Sequence, residues 1–534
     1  MSDRPAATSY DETPYTSHPL PETHPDRLAT MATLLGLSPP AVETCRVLEL
    51  GCGDGGNLLP MAAQLPGARF IGIDASTVQI EDGCRAAEAT GLTNIELRTG
   101  DILALGPELG EFDYIITHGV YSWVPPAVQE KILEISARNL RPNGIAYVSY
   151  NTNPGWRVRG IARDLLDFGT RGIRDHGQRV SQARSMLDAI CGIMPENSLH
   201  GRILQLAQEH LSGKQDYYLL HEYLEDDNVP VYFHEFCDGA ARHGLQYLVE
   251  SDSLDSSRSL SPQAREVLSR FSSNVIDAEQ YADFVTGQMF RRSLLCLADV
   301  AVTRPADPKS LFGLHLMTPL RADVPDADLR TSEPVRFSHE KVSLTTGAPL
   351  LKATLQCLGE SWPRPVPMVE LIAAARQRLE RSPADESPAH AEERHALAGA
   401  MLHCFEERHV GLRPRAIPMA TRPGRKPIVS PLARWQAAGM RHIANQLHEV
   451  TVIDSMQRYL LPLLDGTHDR NALLDRLAGD VVNGTLDLNQ GDRPVTDAET
   501  ARRLMAPALD DSIRRLASAM LLQPDEGGEF HENA

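Results

Sequence analysis

Arg46-Val-Leu-Glu-Leu-Gly-Cys-Gly-Asp-Gly-Gly-Asn57 is an apolar run that carries one acidic residue and breaks into a glycine-rich turn. Val47 to Leu50 is too short for a helix and reads as a buried parallel strand. Gly51, Gly53 and Gly56 behind it permit a tight turn and close backbone approach to a ligand. Asn57 to Leu65 reads as a helix, with Asn57 either its N-cap or a ligand contact. Strand, glycine turn and helix together point amides at a nucleotide-type cofactor.

The next hundred residues keep alternating. The patterning predicts strands over 69–74, 94–98, 112–117 and 144–150, with helices over 77–90 and 126–140. Repeated βα units make an α/β, Rossmann-like doubly wound sheet. Asp74 closes the second strand 18 residues after Gly56, where a carboxylate can accept from both ribose hydroxyls.

Three details favour S-adenosylmethionine over a dinucleotide. Glu49 lies inside the first strand, the turn reads Glu-Leu-Gly-Cys-Gly-Asp-Gly-Gly, and Gly100-Asp101-Ile102 follows the third strand. This resembles the class I methyltransferases. The resemblance implies that Glu49, Gly51, Cys52, Gly53, Gly56 and Asn57 lie at the methionine end of the cofactor and that Asp74 holds the ribose. It places Asp101 and Ile102 at the adenine, with His118 and Gly119 beside the cofactor at the end of strand four.

Open α/β sheets take substrate at the carboxyl ends of their strands. Here these are His118-Gly-Val-Tyr-Ser-Trp-Val-Pro125 and Tyr150-Asn-Thr-Asn-Pro-Gly-Trp156. Aromatic and polar groups together suit a cleft that desolvates an amine and aligns its lone pair for displacement. For lysine, with a free pKa of about 10.4, the site must also favour the neutral amine. Tyr121, Trp123 and Asn151 are the substrate-positioning candidates, with Trp156 as further wall. Each aromatic has an alternative role in packing against a helix.

The 534 residues imply two to four domains. A net charge of −19 argues against a sequence-independent nucleic-acid footprint. Eight scattered cysteines without a Cys-x-x-Cys pair read as reduced thiols. No signal-peptide core and no uncharged apolar run of 18 residues appear, so a cytoplasmic protein without membrane insertion is expected. His403, Cys404 and His409 have no companion cluster and read as the end of an amphipathic helix; no metal is expected.

A narrower resemblance rests on Ser9–Tyr15, Thr23–Leu28, His118–Pro125, Tyr150–Trp156 and Pro230–Phe236. Together these are similar to bacterial methyltransferases with a methyltransferase regulatory domain, among them the rickettsial protein lysine methyltransferases. That family implies lysine methylation of an outer-membrane autotransporter protein. It also implies a Rossmann-type domain, a dimerisation region and middle and C-terminal domains around an open cavity, and thus a homodimer. The expected divisions are an N-terminal cap over 1–45, a cofactor core over 46–156 and a helical insertion over 157–229. A return to the sheet follows over 230–252, then a middle regulatory region over 253–345 and winged-helix-like modules over 346–427 and 428–534. Residues 290–296 are expected on a helix, and the arginines between 413 and 426 in a solvated linker. Tyr217, His221, Glu222, Tyr232 and His234 are expected at the mouth of the cleft. A small-molecule N- or O-methyltransferase, with the extra domains as lid or interface, and a non-catalytic cofactor-binding scaffold stay open as alternatives.

Overall fold

The computed structural model of the chain describes residues 17–195, 197–383, 387–420 and 422–524; the Ser9–Tyr15 motif lies outside them. The central sheet contains β1 (Arg46–Leu50), β2 (Arg69–Asp74), β3 (Ile95–Thr99), β4 (Phe112–Thr117), β5 (Leu140–Asn153), β6 (Val231–Tyr232), β7 (Leu245–Glu250) and β8 (Phe290–Leu297). Their order is 3-2-1-4-5-8-7, with the two-residue β6 extending the end of β5. Strands β1 to β5 run parallel. The order reverses between β1 and β4, so the crevice of the doubly wound sheet falls at the glycine turn.

Burial on both faces explains the near-continuous apolar strands. Leu48 and Leu50 join a core with Ile132, Leu133 and Ile135 of helix Pro126–Asn139. Val47, on the opposite face, packs into a second core with Leu28, Met31 and Leu34. Those three belong to helix Pro25–Leu34, whose residues are nearly all buried, so much of the expected N-terminal cap is core. The same core runs on to Phe337, Leu355 and Leu371.

The return to the sheet takes two strands. β7 forms as expected but lies at the edge, and β8 lies antiparallel between it and β5. The helix expected over 290–296 is therefore a strand, and the sheet continues past residue 252. Leu294, Leu295 and Cys296 are fully buried because β8 is covered on both faces, which erases period-two alternation. Helices Pro262–Ser269 and Val275–Thr286 form an excursion between β7 and β8.

The insertion folds into helices Gly155–Thr170, His176–Ile193, Leu199–Leu211 and Asp216–Tyr223 around its own core of Leu166, Leu187, Leu204 and Leu219. Downstream, helices Pro349–Ser361, Met368–Arg378 and Pro388–Glu406 accompany a three-stranded sheet of His315–Met317, Val366–Pro367 and Gly411–Arg413. Helices Pro431–Gly439, Arg470–Val482 and Ala498–Ser518 form a further compact module. Arg415, expected in a solvated linker, instead holds the buried Asp26 through two hydrogen bonds of 2.8 and 3.1 Å. Burial of an aspartate in the first turn of helix Pro25–Leu34 demands such a partner. No described helix is long and apolar enough to cross a membrane.

Candidate cofactor and substrate site

The turn after β1 is held against β2. Gly51 N and Cys52 N donate to Ile73 O at 2.8 and 3.2 Å. Asp74 accepts from Gly53 N and Ser76 N, each at 2.8 Å, and stays partly exposed. Two backbone donors orient its carboxylate at the carboxyl edge of β2. Gly51 has φ +74°, and a Cβ there would lie 2.2 Å from Val120 Cγ2. The loops after β1 and β4 thus meet across the reversal point.

Gly56 has a different neighbour from the one its spacing suggested. A Cβ there would collide with Ser17 O at 2.6 Å, so the glycine admits the N-terminal segment rather than opening towards the crevice. Cys52 is also turned away: a side chain at Gly72 would lie 2.7 Å from its Sγ, placing the thiol in the sheet core.

Glu49 is 3 % exposed. Burial pushes its carboxyl up to about 8, against the pull of a 2.9 Å hydrogen bond from Asn57 Nδ2. Its second oxygen, Oε2, is buried without a partner. Asn57 makes no side-chain cap for its helix. Its Oδ1 accepts from Leu20 N at 3.0 Å and Thr23 Oγ1 at 3.2 Å, and lies 2.8 Å from His448 Nε2. The asparagine therefore joins the N-terminal segment, β1 and the C-terminal module. His448 was not legible in the sequence, because nothing local marks a residue that acts 391 positions away.

At β3, Asp101 Oδ1 accepts from Leu103 N at 2.9 Å and caps a short turn, while Ile102 is half-buried beside it. At the end of β4, His118 Nδ1 lies 2.8 Å from Tyr147 Oη and the two rings stack. Burial and the nearby charge of Arg292 bring His118 down to about 3, so it is neutral at physiological pH. Gly119 N donates to Ser149 Oγ at 2.8 Å and the glycine is exposed.

The predicted substrate residues divide. Tyr121 is buried between Tyr150 and Phe236, with ring centroids at 6.0 and 5.4 Å, so its ring serves packing. Trp123 is half-buried and meets Trp156 edge to face at 6.1 Å. Asn151 Nδ2 is buried and donates to no partner, while the backbone N of the residue donates to Ser122 Oγ at 2.8 Å. Among the expected mouth residues, Tyr232 stacks on His234 at 5.6 Å, Glu222 pairs with Arg159, and His221 is buried. Arg159 also stands over Trp156 at 4.9 Å. No group of three or more His, Cys, Asp or Glu arranged for a metal occurs among the described residues. His403 Nδ1 lies 3.3 Å from Arg258.

An oriented carboxylate at β2 and an unpartnered carboxylate oxygen behind the glycine turn fit two polar groups of S-adenosylmethionine. Asp74 suits the ribose diol, and Glu49 suits a cationic amine.

Three family models match the chain: a methyltransferase domain over 47–144, a predicted methyltransferase regulatory domain over 215–297 and a PKMT C-terminal winged helix domain over 425–521. The regulatory match takes in β7, β8 and the excursion between them. An uncharacterised protein of Rickettsia prowazekii (strain Madrid E) is 30% identical over 524 residues, 96% of this chain and 93% of its own. PKMT2 from Rickettsia typhi superposes with TM-score 0.83 at 28% identity, over 95% of this chain and 100% of its own. Its complex with AdoHcy gives 0.82 at 29% identity with the same coverage. The protein is an S-adenosylmethionine-dependent methyltransferase, and the chain belongs to the class I methyltransferases that carry a methyltransferase regulatory domain, the family of the rickettsial PKMT enzymes.

Proposed function

We propose that the enzyme methylates lysine ε-amines of a bacterial protein, with an outer-membrane protein the leading substrate class. The observation that carries this reading is the extent of the likeness to PKMT2, which includes the middle and C-terminal modules as well as the sheet. A small-molecule acceptor does not require those modules.

In this reading Asp74 binds the ribose, Asp101 and Ile102 border the adenine, and Glu49 faces the amino group at the methionine end. The bound cofactor supplies an electrophilic methyl group. Trp123 forms the wall that strips water from the acceptor amine and fixes its approach, with the buried Trp156 packed edge to face behind it, and the methylated cation gains contact with the Trp123 face. The free Nδ2 of Asn151 orients a polar acceptor atom at the end of β5. His118 is too weak a base to take the amine proton.

The exposed side chains of Phe168, Ile193, Leu199 and Leu206 on the insertion support homodimerisation through this region. Eight free thiols support work in the reducing cytoplasm before the substrate is exported.

Incubation with methyl-labelled S-adenosylmethionine and bacterial lysate should place label in protein, recovered after hydrolysis as methyllysine. Label confined to the small-molecule fraction would overturn the proposal. Asp74→Ala removes charge-assisted hydrogen bonds and should weaken cofactor binding about 10- to 100-fold by calorimetry. Unchanged affinity would contradict the ribose role. Trp123→Ala should lower kcat about tenfold while leaving AdoHcy affinity within about twofold.

A further inference from the structure

A cavity of about 460 Å³ opens where helix Pro25–Leu34, the start of β8, helix Pro388–Glu406 and the C-terminal module converge. Trp362, Phe405 and Leu447 contribute apolar wall, and the charged lining holds five arginines against four carboxylates. Most of the arginines are matched. Arg258 pairs with Glu406 and Glu407, and Arg292 with Glu22 and Asp252.

Arg413 and Arg27 are the exceptions. Among the described residues the Arg413 side chain makes neither an ion pair nor a hydrogen bond, and its Nε is buried without a partner. The nearby Asp26 is already gripped by Arg415. Glu449, also on the cavity wall, accepts from Asn445 Nδ2 at 3.1 Å. Arg27 donates Nε to Ser251 O at 2.6 Å and stands over the Phe405 ring at 5.1 Å, yet no described carboxylate pairs with it. Burial, then the neighbouring charge of Arg413, lowers Arg27 to about 10. Two guanidinium groups that repel each other in a partly desolvated cavity are costly, and an anion with several acceptor lone pairs relieves both costs.

We propose that this cavity binds an organic anion, a carboxylate or phosphate group on an apolar body, held by Arg413 and Arg27 with the body against Trp362 and Phe405. The bound anion joins the N-terminal helix to the middle and C-terminal modules. It also sits close to the reaction crevice, because Arg292 on the cavity wall stands over Phe290 at 5.1 Å and Phe290 meets His118 at 6.1 Å. The anion is either a free small molecule or an acidic group of the polypeptide substrate. The site does not depend on which acceptor is methylated.

Phenyl phosphate and benzoate, titrated into the full-length protein by calorimetry at ionic strength held constant with sodium chloride, test the proposal. At least one should bind saturably, and saturating AdoHcy should not displace it. Arg413→Met should weaken that binding about tenfold or more, as loss of a charge-assisted contact requires, with AdoHcy affinity unchanged. Without ligand the same variant should melt no lower than the wild type, since it removes an unpaired buried charge. Arg27→Met provides a second, independent loss. Absence of saturable binding, displacement by AdoHcy, or wild-type affinity in both variants would overturn the site. In the labelling assay, inhibition competitive with protein substrate identifies an acidic group of that substrate as the natural occupant. A change in rate without competition identifies a free effector. Either result supports the site.

Discussion

Arg291→Met should destabilise the methyltransferase domain by about 3–5 kcal/mol, the range for stripping the partner from buried charges. Arg291 is 1 % exposed in β8 and binds three carboxylates. Its Nε and Nη2 reach Asp283 at 2.9 and 2.8 Å, Nη1 reaches Glu250 at 2.9 Å, and Nη2 reaches Glu279 at 3.0 Å. The guanidinium also stands over Phe233 at 3.9 Å. These contacts fasten helix Val275–Thr286 to β7 and β8. Through Glu250, Ser293 and Tyr150 the network continues to the aromatic cluster beneath the substrate loops.

Acid should partly rescue that variant. Burial outweighs the pull of Arg291 and raises Asp283 to about 6, and it raises Glu279 as well. An acid whose folded pKa lies above its unfolded value gives stability that declines as pH rises between the two. For Asp283 in the wild type that window runs from about 4 to about 6. Without Arg291 the carboxylates lose their counterion, hold protons to higher pH, and extend the decline upward. The gap between variant and wild type, measured on the first unfolding transition, should therefore narrow as pH falls from 8 towards 6. A loss below about 1 kcal/mol, or a gap independent of pH, would show that the network carries little stability.

The parallel half of the sheet was legible because its signals are local. A fully buried strand is an unbroken apolar run, and a glycine turn must follow it closely. Asp74 shares this legibility, since the geometry of one βα unit sets its distance from the turn. β8 was not legible: Phe290-Arg-Arg-Ser-Leu-Leu-Cys296 puts two arginines at its start, and only the acidic pocket supplied by Glu250, Glu279 and Asp283 lets one of them be buried. Arg415 failed in the same way, because its partner Asp26 lies 389 residues earlier. Within the site, Tyr121 and Trp123 looked equivalent two residues apart. Phe236, from a distant helix, makes Tyr121 a core residue, whereas Trp123 stays half-buried. Residue type and strand position located the site, but partners contributed from afar decided which side chains are free to act.

Glu49→Gln should abolish a proton release that accompanies cofactor binding. In the free protein the Glu49 carboxyl titrates near 8, so at pH 7 it is largely protonated. A cationic amine placed against the unpartnered Oε2 favours the carboxylate, and complex formation then expels the proton. Calorimetry with AdoHcy at pH 7, in buffers of different ionisation enthalpy, should find nearly one proton released by the wild type and almost none by the variant. The variant's affinity should fall about tenfold or more through loss of the charge pair. Its stability without cofactor should change in the opposite sense. Raising a glutamate from 4.5 to about 8 means that the wild type loses stability as pH climbs through that window, by up to about 4–5 kcal/mol. Glutamine keeps the acceptor for Asn57 Nδ2 and carries no charge to desolvate, so at pH 8 the variant should melt above the wild type. His448→Ala separates the carboxylate from its mounting: freeing Asn57 from the C-terminal module should reduce AdoHcy affinity while leaving the proton release intact. Wild-type binding without proton release would show that Glu49 stays protonated in the complex, and the amino group of the cofactor would then have to be placed elsewhere in the crevice.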